Sequence, residues 1–356
     1  MSAITNNDSP EPFSVSQPEQ SKSERDAFIC LDPPGFQIRH PPPPHELDTY
    51  ITPDDKLFQT AHMGHAIIDP SRYRIVVDGL VDHPITLTLS DLHSMPQTNI
   101  TSFHECFGSP LKPPIERCCR VGNVVWSGVK VSHILSLAGL PATTSSLYLW
   151  TSGLDHGTFN DTYADAYTKD LPLSKALSHE VIIAHSMNGA PLSKERGAPA
   201  RLVVPGYFGT NSVKWVCRLE VRDSRAQGPY TTKWYNEIQS NDEVKPVWGV
   251  EVNNVIVRPR AGEVVKGREL QVEGWAWSED GVKSIRVSGD GGMTWQEADV
   301  HDREGLGWQK FDVWLVVGKG RCEIIARAMC KKGNVQPMEG RRNCVHRVEV
   351  VVEEAD

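Results

Sequence analysis

Between residues 72 and 81 the chain reads RYRIVVDGLV. Apolar and polar positions alternate and then meet a glycine, which predicts a strand running into a turn. The period lengthens in VKVSHILSLAGL (129–140). There Val131, Ile134, Leu135 and Ala138 share one helical face, and Gly139 supplies the stop. TLSDLHSM (88–95) opens with a Ser/Asp capping pattern and predicts a short helix. SLYLWTS (146–152) and EVIIAHSMNG (180–189) read as strands, the second closing on an Asn-Gly turn. PARLVVPGYFG (199–209) reads as a strand running into a Pro-Gly turn, and SVKWVCRLEVRD (212–223) alternates again. Residues 46–240 therefore read as an α+β unit with a strand-rich core.

Residues 241–356 differ. ELQVEGWAW, SIRVSGDGGMTWQEA, QKFDVWLVV, CEIIARAMC and VHRVEVVV recur at short intervals, separated by turn residues such as Gly291-Gly292. Regular short strands with turn punctuation predict an all-β sandwich. Cys322, Ile324, Ala326 and Ala328 fall on one face of their strand. Trp275, Trp277, Trp295 and Trp308 are expected to fill the sandwich core and its hairpins.

Residues 1–45 are rich in Pro, Ser and charge and finish in RHPPPPHE. They predict a disordered or extended lead-in stiffened by polyproline. The 356 residues suit two domains. A hydrophobic share of 39% and a charged share of 23% suit a soluble globular chain. No apolar run approaches the roughly 18 residues of a membrane span, so no membrane partner is expected. The formal charge of −8 argues against a general nucleic-acid role. Neither end carries a recognised secretory, transit or peroxisomal signal. That favours a cytoplasmic setting with the eight cysteines reduced.

Two segments hold the candidate chemistry. In TSFHECFGSPLKPPIERCC (101–119), Cys106 leaves a predicted strand at Phe107-Gly108. It suits a metal ligand, a nucleophile paired with His104, or a core filler. Adjacent Cys118 and Cys119 cannot easily both hold one tetrahedral ion. In SKERGAPARLVVPGYFGTNSVKW (193–215), Arg196, Arg201 and Lys214 surround a glycine-bearing loop. Gly206 and Gly209 permit close backbone approach, and Ser212 adds a hydroxyl. Such a set suits a phosphate, or else forms a solvated basic edge.

This last segment resembles the cofactor-binding segment of the sulfite oxidase family of molybdopterin enzymes. PHELDTYITPDDKLFQTAH (44–62), WSGVKVSHIL (126–135) and SMNGAPL (186–192) are similar to the same family in order. GWAWSEDGVKSIRVSGDGGMTWQEADV (274–300) is similar to its immunoglobulin-like dimerisation domain. The resemblance implies a homodimer, with molybdenum held by molybdopterin and by one protein thiolate. It places that ligand at Cys106, because CFGS stands where the family has Cys-Ala-Gly-Asn. It carries over His62, Asp155, Arg196, Arg201, Ser212, Val213 and Lys214 as cofactor-binding residues and Tyr167 as an active-site residue. It implies oxygen-atom transfer, sulfite to sulfate first, with another small substrate such as a sulfoxide or oxyanion, or a non-catalytic cofactor binder, as alternatives. No haem or flavin domain fits in this chain, so electrons are expected to leave to an external acceptor. A mitochondrial setting also follows from the family.

The departures concern the substrate. The family's Arg-Asn-His is TAH here, with Thr60 in the arginine's place. Its Gly-Asn-Arg-Arg after the cysteine is GSPLK, and its Trp-Asn-x-Arg-Gly near the C-terminus is absent around QPMEGRRNCVHRV. Lys112, Arg117, Arg120, His65, His104, Arg341 and Arg342 are the available substitutes.

Overall fold

The computed structural model describes residues 29–108, 120–142, 144, 146–238 and 242–354. Its first unit is built on two mixed-length sheets. One runs in the order Thr168–Pro172, Tyr148–Gly153, Val216–Arg222, Arg74–Gly79, Ile85–Thr88. Val216–Arg222 lies parallel to Arg74–Gly79, and the other pairs are antiparallel. The second sheet runs Ala190–Pro191, Ile182–Met187, Val121–Lys130, Gln97–Glu105, and Arg201–Val203 also pairs with Ile182–Met187. Gly128 makes one of these pairings possible. It opposes Ala184, and a Cβ there would lie 2.0 Å from the Ile183 carbonyl oxygen.

The predicted helix forms at Val131–Ala138 and buries Val131, Ile134, Leu135 and Ala138. It ends at Gly139, whose φ of 74° lies in the left-handed region that glycine tolerates. The short helix Leu89–Ser94 is capped by Thr88 rather than by a serine. Asp91 N–H donates to Thr88 Oγ1 at 3.1 Å, and Thr88 N–H donates back to Asp91 Oδ2 at 2.8 Å. The turn at 188–189 has φ values of 51° and 80°, as an Asn-Gly hairpin requires.

The end of the proline-rich segment is not free. Ile29–Pro34 pairs antiparallel with Gly64–Ile68, and Gln37–Arg39 pairs with Gln59–Ala61. Strand formers within 29–39 cover edges that would otherwise expose unpaired amides. Residues 1–28 lie outside the described residues, as do 109–119 with Lys112, Arg117, Cys118 and Cys119.

The second unit is the expected β-sandwich. Its eight strands run Asn253–Arg258, Glu269–Trp277, Gln309–Val316, Gln296–Val300, Val282–Ser288, Gly320–Cys330, His346–Glu353, Val264–Lys266. Cys322, Ile324, Ala326 and Ala328 are buried in its core. The α+β class of the first unit and the all-β class of the second both agree with the pattern of the sequence. Among the described residues, no helix is long and apolar enough to cross a membrane.

Three tryptophans correct the sequence reading. Trp275, Trp277 and Trp308 do not fill the sandwich core. They pack with Leu47, Phe103, Val121 and Phe208 at the junction of the two units. The cause is strand parity. Leu270, Val272 and Ala276 point into the sandwich, so Trp275 and Trp277 on the same strand must point the other way. Each indole N–H reaches the first unit: Trp275 donates to Leu47 O at 2.6 Å, Trp277 to Glu105 Oε2 at 2.7 Å and Trp308 to Tyr50 O at 2.9 Å. Trp295 is the hairpin residue expected, donating to Gly292 O.

Trp308→Ala should therefore destabilise the folded chain by about 3–5 kcal/mol. Urea unfolding of both proteins checks this, and a difference below about 1 kcal/mol would show that the junction does not hold the fold together.

Candidate active site

The pocket that gathers the predicted residues opens between the two sheets of the first unit. Cys106, His62, Asp155, Tyr167, Arg196, Arg201, Ser212 and Lys214 all line it. Val213 is buried directly behind it, its carbonyl accepting from Leu202 N–H at 2.8 Å.

The strand Gln97–Glu105 delivers the cysteine. Cys106 follows its last residue, is half-buried, and donates its N–H to Arg120 O at 2.9 Å. Arg120 in turn donates its guanidinium to Gly108 O, which closes the base of the loop. His104 shares the pocket face, as strand spacing requires. Its ring stacks on Phe58 at 5.6 Å and meets Trp126 edge-on at 5.8 Å. Burial and then the Arg201 charge hold its pKa well below the usual imidazole value. Gly209 leaves room for it, since a Cβ there would lie 2.9 Å from His104 Nε2. Gly206 faces Glu279 in the second unit instead.

Opposite Cys106 lies a cationic cradle. Arg201 donates to Arg196 O at 3.1 Å and Ser212 O at 3.0 Å, with its guanidinium 4.8 Å from the Trp126 ring centre. Lys214 Nζ donates to Thr60 O and Glu195 O, both at 3.1 Å. Ser212 Oγ accepts from Val204 N–H at 3.1 Å. Gly197, with φ of 98°, permits this packing, because a Cβ there would approach Lys214 Cβ to 2.8 Å. Arg196 behaves differently from its neighbours. It donates Nε to Asp54 Oδ1 at 2.5 Å and its other nitrogens to the Phe58, Asp54 and Leu57 carbonyls. Four of its five N–H groups thus brace the segment 54–58, which leaves one for a ligand.

The charge balance is the telling feature. Burial, and then the Arg196 charge, lower the Arg201 pKa to about 9. Burial, and then the Arg201 charge, lower the Lys214 pKa to about 7. Among the described residues neither forms an ion pair with a carboxylate within bonding distance; only Arg196 does, with Asp54. Asp155 and Glu195 offset part of the Lys214 charge, and an anion would offset more. A phosphate dianion held by Arg201, Lys214 and the remaining Arg196 N–H would do so.

The rest of the wall is aromatic. His62 Nε2 pairs with Tyr235 OH at 2.5 Å, and its ring lies 5.4 Å from Tyr167 and 4.8 Å from Phe159. Burial, then the Lys214 charge, lower the His62 pKa to about 3. Tyr167 OH donates to Thr210 at 2.9 Å through the carbonyl or 2.7 Å through the hydroxyl. Sequence reasoning missed Tyr235, Thr210 and Phe107, which also line the pocket. Tyr235 and Trp215 carry positive φ values of 58° and 52°. Strained backbone of this kind collects at functional sites, but no sequence signal marks it. His65 lies behind the pocket, bonded to Gln59 at 2.6 Å. Arg342 reaches the domain junction rather than the pocket, over Phe107 and Phe208.

Such a pocket, with one cysteine and three cations in a single lining, suits a cofactor-dependent enzyme. Comparison with known proteins gives the class. Residues 62–230 match the oxidoreductase molybdopterin binding domain, and residues 244–352 match the Mo-co oxidoreductase dimerisation domain. The chain is 30% identical to mitochondrial sulfite oxidase of Homo sapiens over 326 residues, covering 83% of this chain and 59% of that protein. It is 30% identical to sulfite oxidase of Gallus gallus over 329 residues, covering 83% of this chain and 70% of that one. The crystal structure of the sulfane dehydrogenase SoxCD from Paracoccus pantotrophus superposes with a TM-score of 0.76 at 26% identity, covering 98% of this chain and 94% of that one. The chain thus spans 59% of the length of the human relative. It belongs to the sulfite oxidase family of molybdopterin oxidoreductases. Family membership implies a molybdenum–molybdopterin cofactor, and the thiolate and cradle described above have the chemistry to hold it.

A pH prediction follows from Lys214 in the cofactor-free protein. Burial pushes its folded pKa down to about 7, from an ordinary lysine value of 10.5 in the unfolded chain. Between those values the unfolded chain binds more protons, so stability rises with pH across that window. Lys214→Met should flatten the rise of Tm with pH between about 7 and 10. Parallel wild-type and variant curves would show that the ammonium is not desolvated.

Proposed function

We propose that this chain is a molybdenum-dependent oxidoreductase that transfers an oxygen atom at sulfur, with a neutral sulfur compound preferred over free sulfite. The wall around Cys106 carries the reading. Among the described residues, the pocket cations belong to the cradle, and Arg120 beside the cysteine loop is turned to the Gly108 carbonyl. Phe58, Phe107, Tyr167 and Tyr235 give the wall its aromatic part, Asp155 and Glu195 add carboxylates, and both histidines there are held neutral near pH 7 by burial. A dianion would lose hydration without a dedicated counter-charge. A sulfoxide or an organic thioether, which carries no charge, would not.

Bound at Cys106 and the cradle, the molybdenum cofactor supplies two-electron redox chemistry and an exchangeable oxygen. Cys106 contributes a soft thiolate that suits a metal already ligated by sulfur. Arg201, Lys214 and Arg196 would bind the phosphate and so fix the orientation of the cofactor. Tyr235, which interacts with Cys106 and is held by His62, and Tyr167, held by Thr210, are the phenol hydroxyls in the pocket that could orient a substrate oxygen. The aromatic walls exclude water. An external acceptor takes the electrons when sulfur is oxidised, and an external donor supplies them when a sulfoxide is reduced.

Sulfite itself is the second reading, supported by the names of the relatives. One molybdenum-loaded sample separates the two. Dimethyl sulfoxide with a reduced viologen dye and dimethyl sulfide with ferricyanide are compared with sulfite and ferricyanide. The expected result is turnover of a neutral compound and a sulfite KM at or above about 1 mM, the top of the usual range. A micromolar sulfite KM with no turnover of the neutral compounds would overturn the preference. Cys106→Ser should keep the fold and the pterin but lose turnover, read from circular dichroism, pterin fluorescence and the same assays. Full activity in that variant would remove Cys106 from the ligand role.

The match of residues 244–352 to a dimerisation domain supports a homodimer assembled through the sandwich. Sedimentation at micromolar concentration should show a dimer, and a monomer there would sink this part of the reading.

A further inference from the structure

Glu105 immediately precedes Cys106 yet takes no part in the pocket. Strand parity turns its side chain to the opposite face, into the domain junction, where it is 1% exposed. Groups from the second unit converge on its carboxylate. Trp277 Nε1 donates to Oε2 at 2.7 Å, and Asn253 Nδ2 donates to Oε1 at 3.2 Å. Arg342 Nη1 lies 3.7 Å from Oε1. These partners are themselves held. Asn253 Oδ1 accepts from Gln336 Nε2 at 3.1 Å, and Arg342 donates to Glu251 Oε2 at 2.8 Å. The Arg342 guanidinium also lies 4.8 Å from the centre of the Phe107 ring. The second unit therefore grips the residue before Cys106 and the residue after it.

A carboxylate is an expensive choice for this position. An apolar side chain would fill the volume without desolvating a charge. What a satisfied buried carboxylate adds is a single defined geometry. We propose that Glu105 is a positioning residue through which the second unit fixes Cys106 at the metal. The inference rests on Cys106 being the ligand, as read above. It makes the C-terminal unit part of the active-site machinery as well as a dimerisation module. The carboxylate acts through the backbone: it locks the end of the strand, and the strand end sets where the sulfur lies.

The test uses Glu105→Ala, Glu105→Gln and Trp277→Phe in the full chain, with two readouts. In cofactor-free protein, Cys106 is labelled with N-ethylmaleimide and followed by peptide mass spectrometry. Loss of a hydrogen bond to a charged group should raise the labelling rate about tenfold in Glu105→Ala and Trp277→Phe. Glu105→Gln should fall between wild type and Glu105→Ala, because its amide oxygen still accepts from Trp277 while its amide nitrogen meets the Asn253 amide donor and Arg342. In molybdenum-loaded protein, X-ray absorption counts the sulfur neighbours of the metal. One should be lost or displaced in Glu105→Ala and kept in Glu105→Gln. Wild-type labelling and an intact sulfur shell in both Glu105→Ala and Trp277→Phe would overturn the proposal, leaving Glu105 a stability element only. If Glu105→Ala does not fold, Trp277→Phe decides, since it keeps an aromatic ring in the junction. Failure of the underlying reading looks different. A wild type that takes up no molybdenum, or a Cys106→Ser variant with the full sulfur shell, would remove the ligand role, while the labelling rates would still report whether the junction positions Cys106.

Discussion

Arg201 is buried and Lys214 half-buried in one pocket wall, with a third cation, Arg196, close by. Repulsion and desolvation act together on the first two, which is why both pKa values fall. A protein keeps such an arrangement only if something else neutralises it. The surrounding fold serves that end. Arg201–Val203 pairs with Ile182–Met187 to set the arginine, Gly197 makes room for the lysine stem, and Arg196 is given over to bracing residues 54–58. On the proposed function the cradle takes an anionic group of the cofactor, and its cations would then be occupied. This division explains how a chain can keep the cofactor side of its family pattern while the substrate side departs from it.

The second organising feature is the junction. Its tryptophans bury large surfaces and direct each indole N–H to an acceptor in the first unit. Stacking of Trp275 on Trp308 at 4.8 Å fills the centre. The two units are therefore joined by a packed apolar layer with satisfied polar groups, and relative motion across it would expose both.

Much of this was legible along the chain. Val131, Ile134, Leu135 and Ala138 announce a helix because their spacing has only one satisfactory burial, and the Asn188-Gly189 turn has a backbone that few other residues adopt. The cation set at 196–214 and the exit of Cys106 from a strand were legible as chemistry, and the family resemblance gave them a common purpose. Other features were not legible, for physical reasons. Trp275 and Trp277 lie on a strand with two apolar faces, and local pattern cannot tell a core face from a junction face. That Arg196 spends most of its N–H groups on residues 54–58 was hidden, because its partner Asp54 lies 142 residues earlier. Tyr235 reaches His62 through a left-handed backbone at its own position, and neither its neighbours nor its period reveals that.

The strand Gln97–Glu105 serves two environments at once. Phe103 and Glu105 face the junction, while His104 and Cys106 face the pocket. Its alternation leaves no slack, since a slip of one residue would exchange the two faces. Single-residue insertions or deletions inside this strand should therefore be purged from descendants of this chain, whatever residues they add or remove. Length changes between its lineage and related ones would have to accumulate after Cys106. The register of one strand thus limits which evolutionary routes to a new substrate remain open.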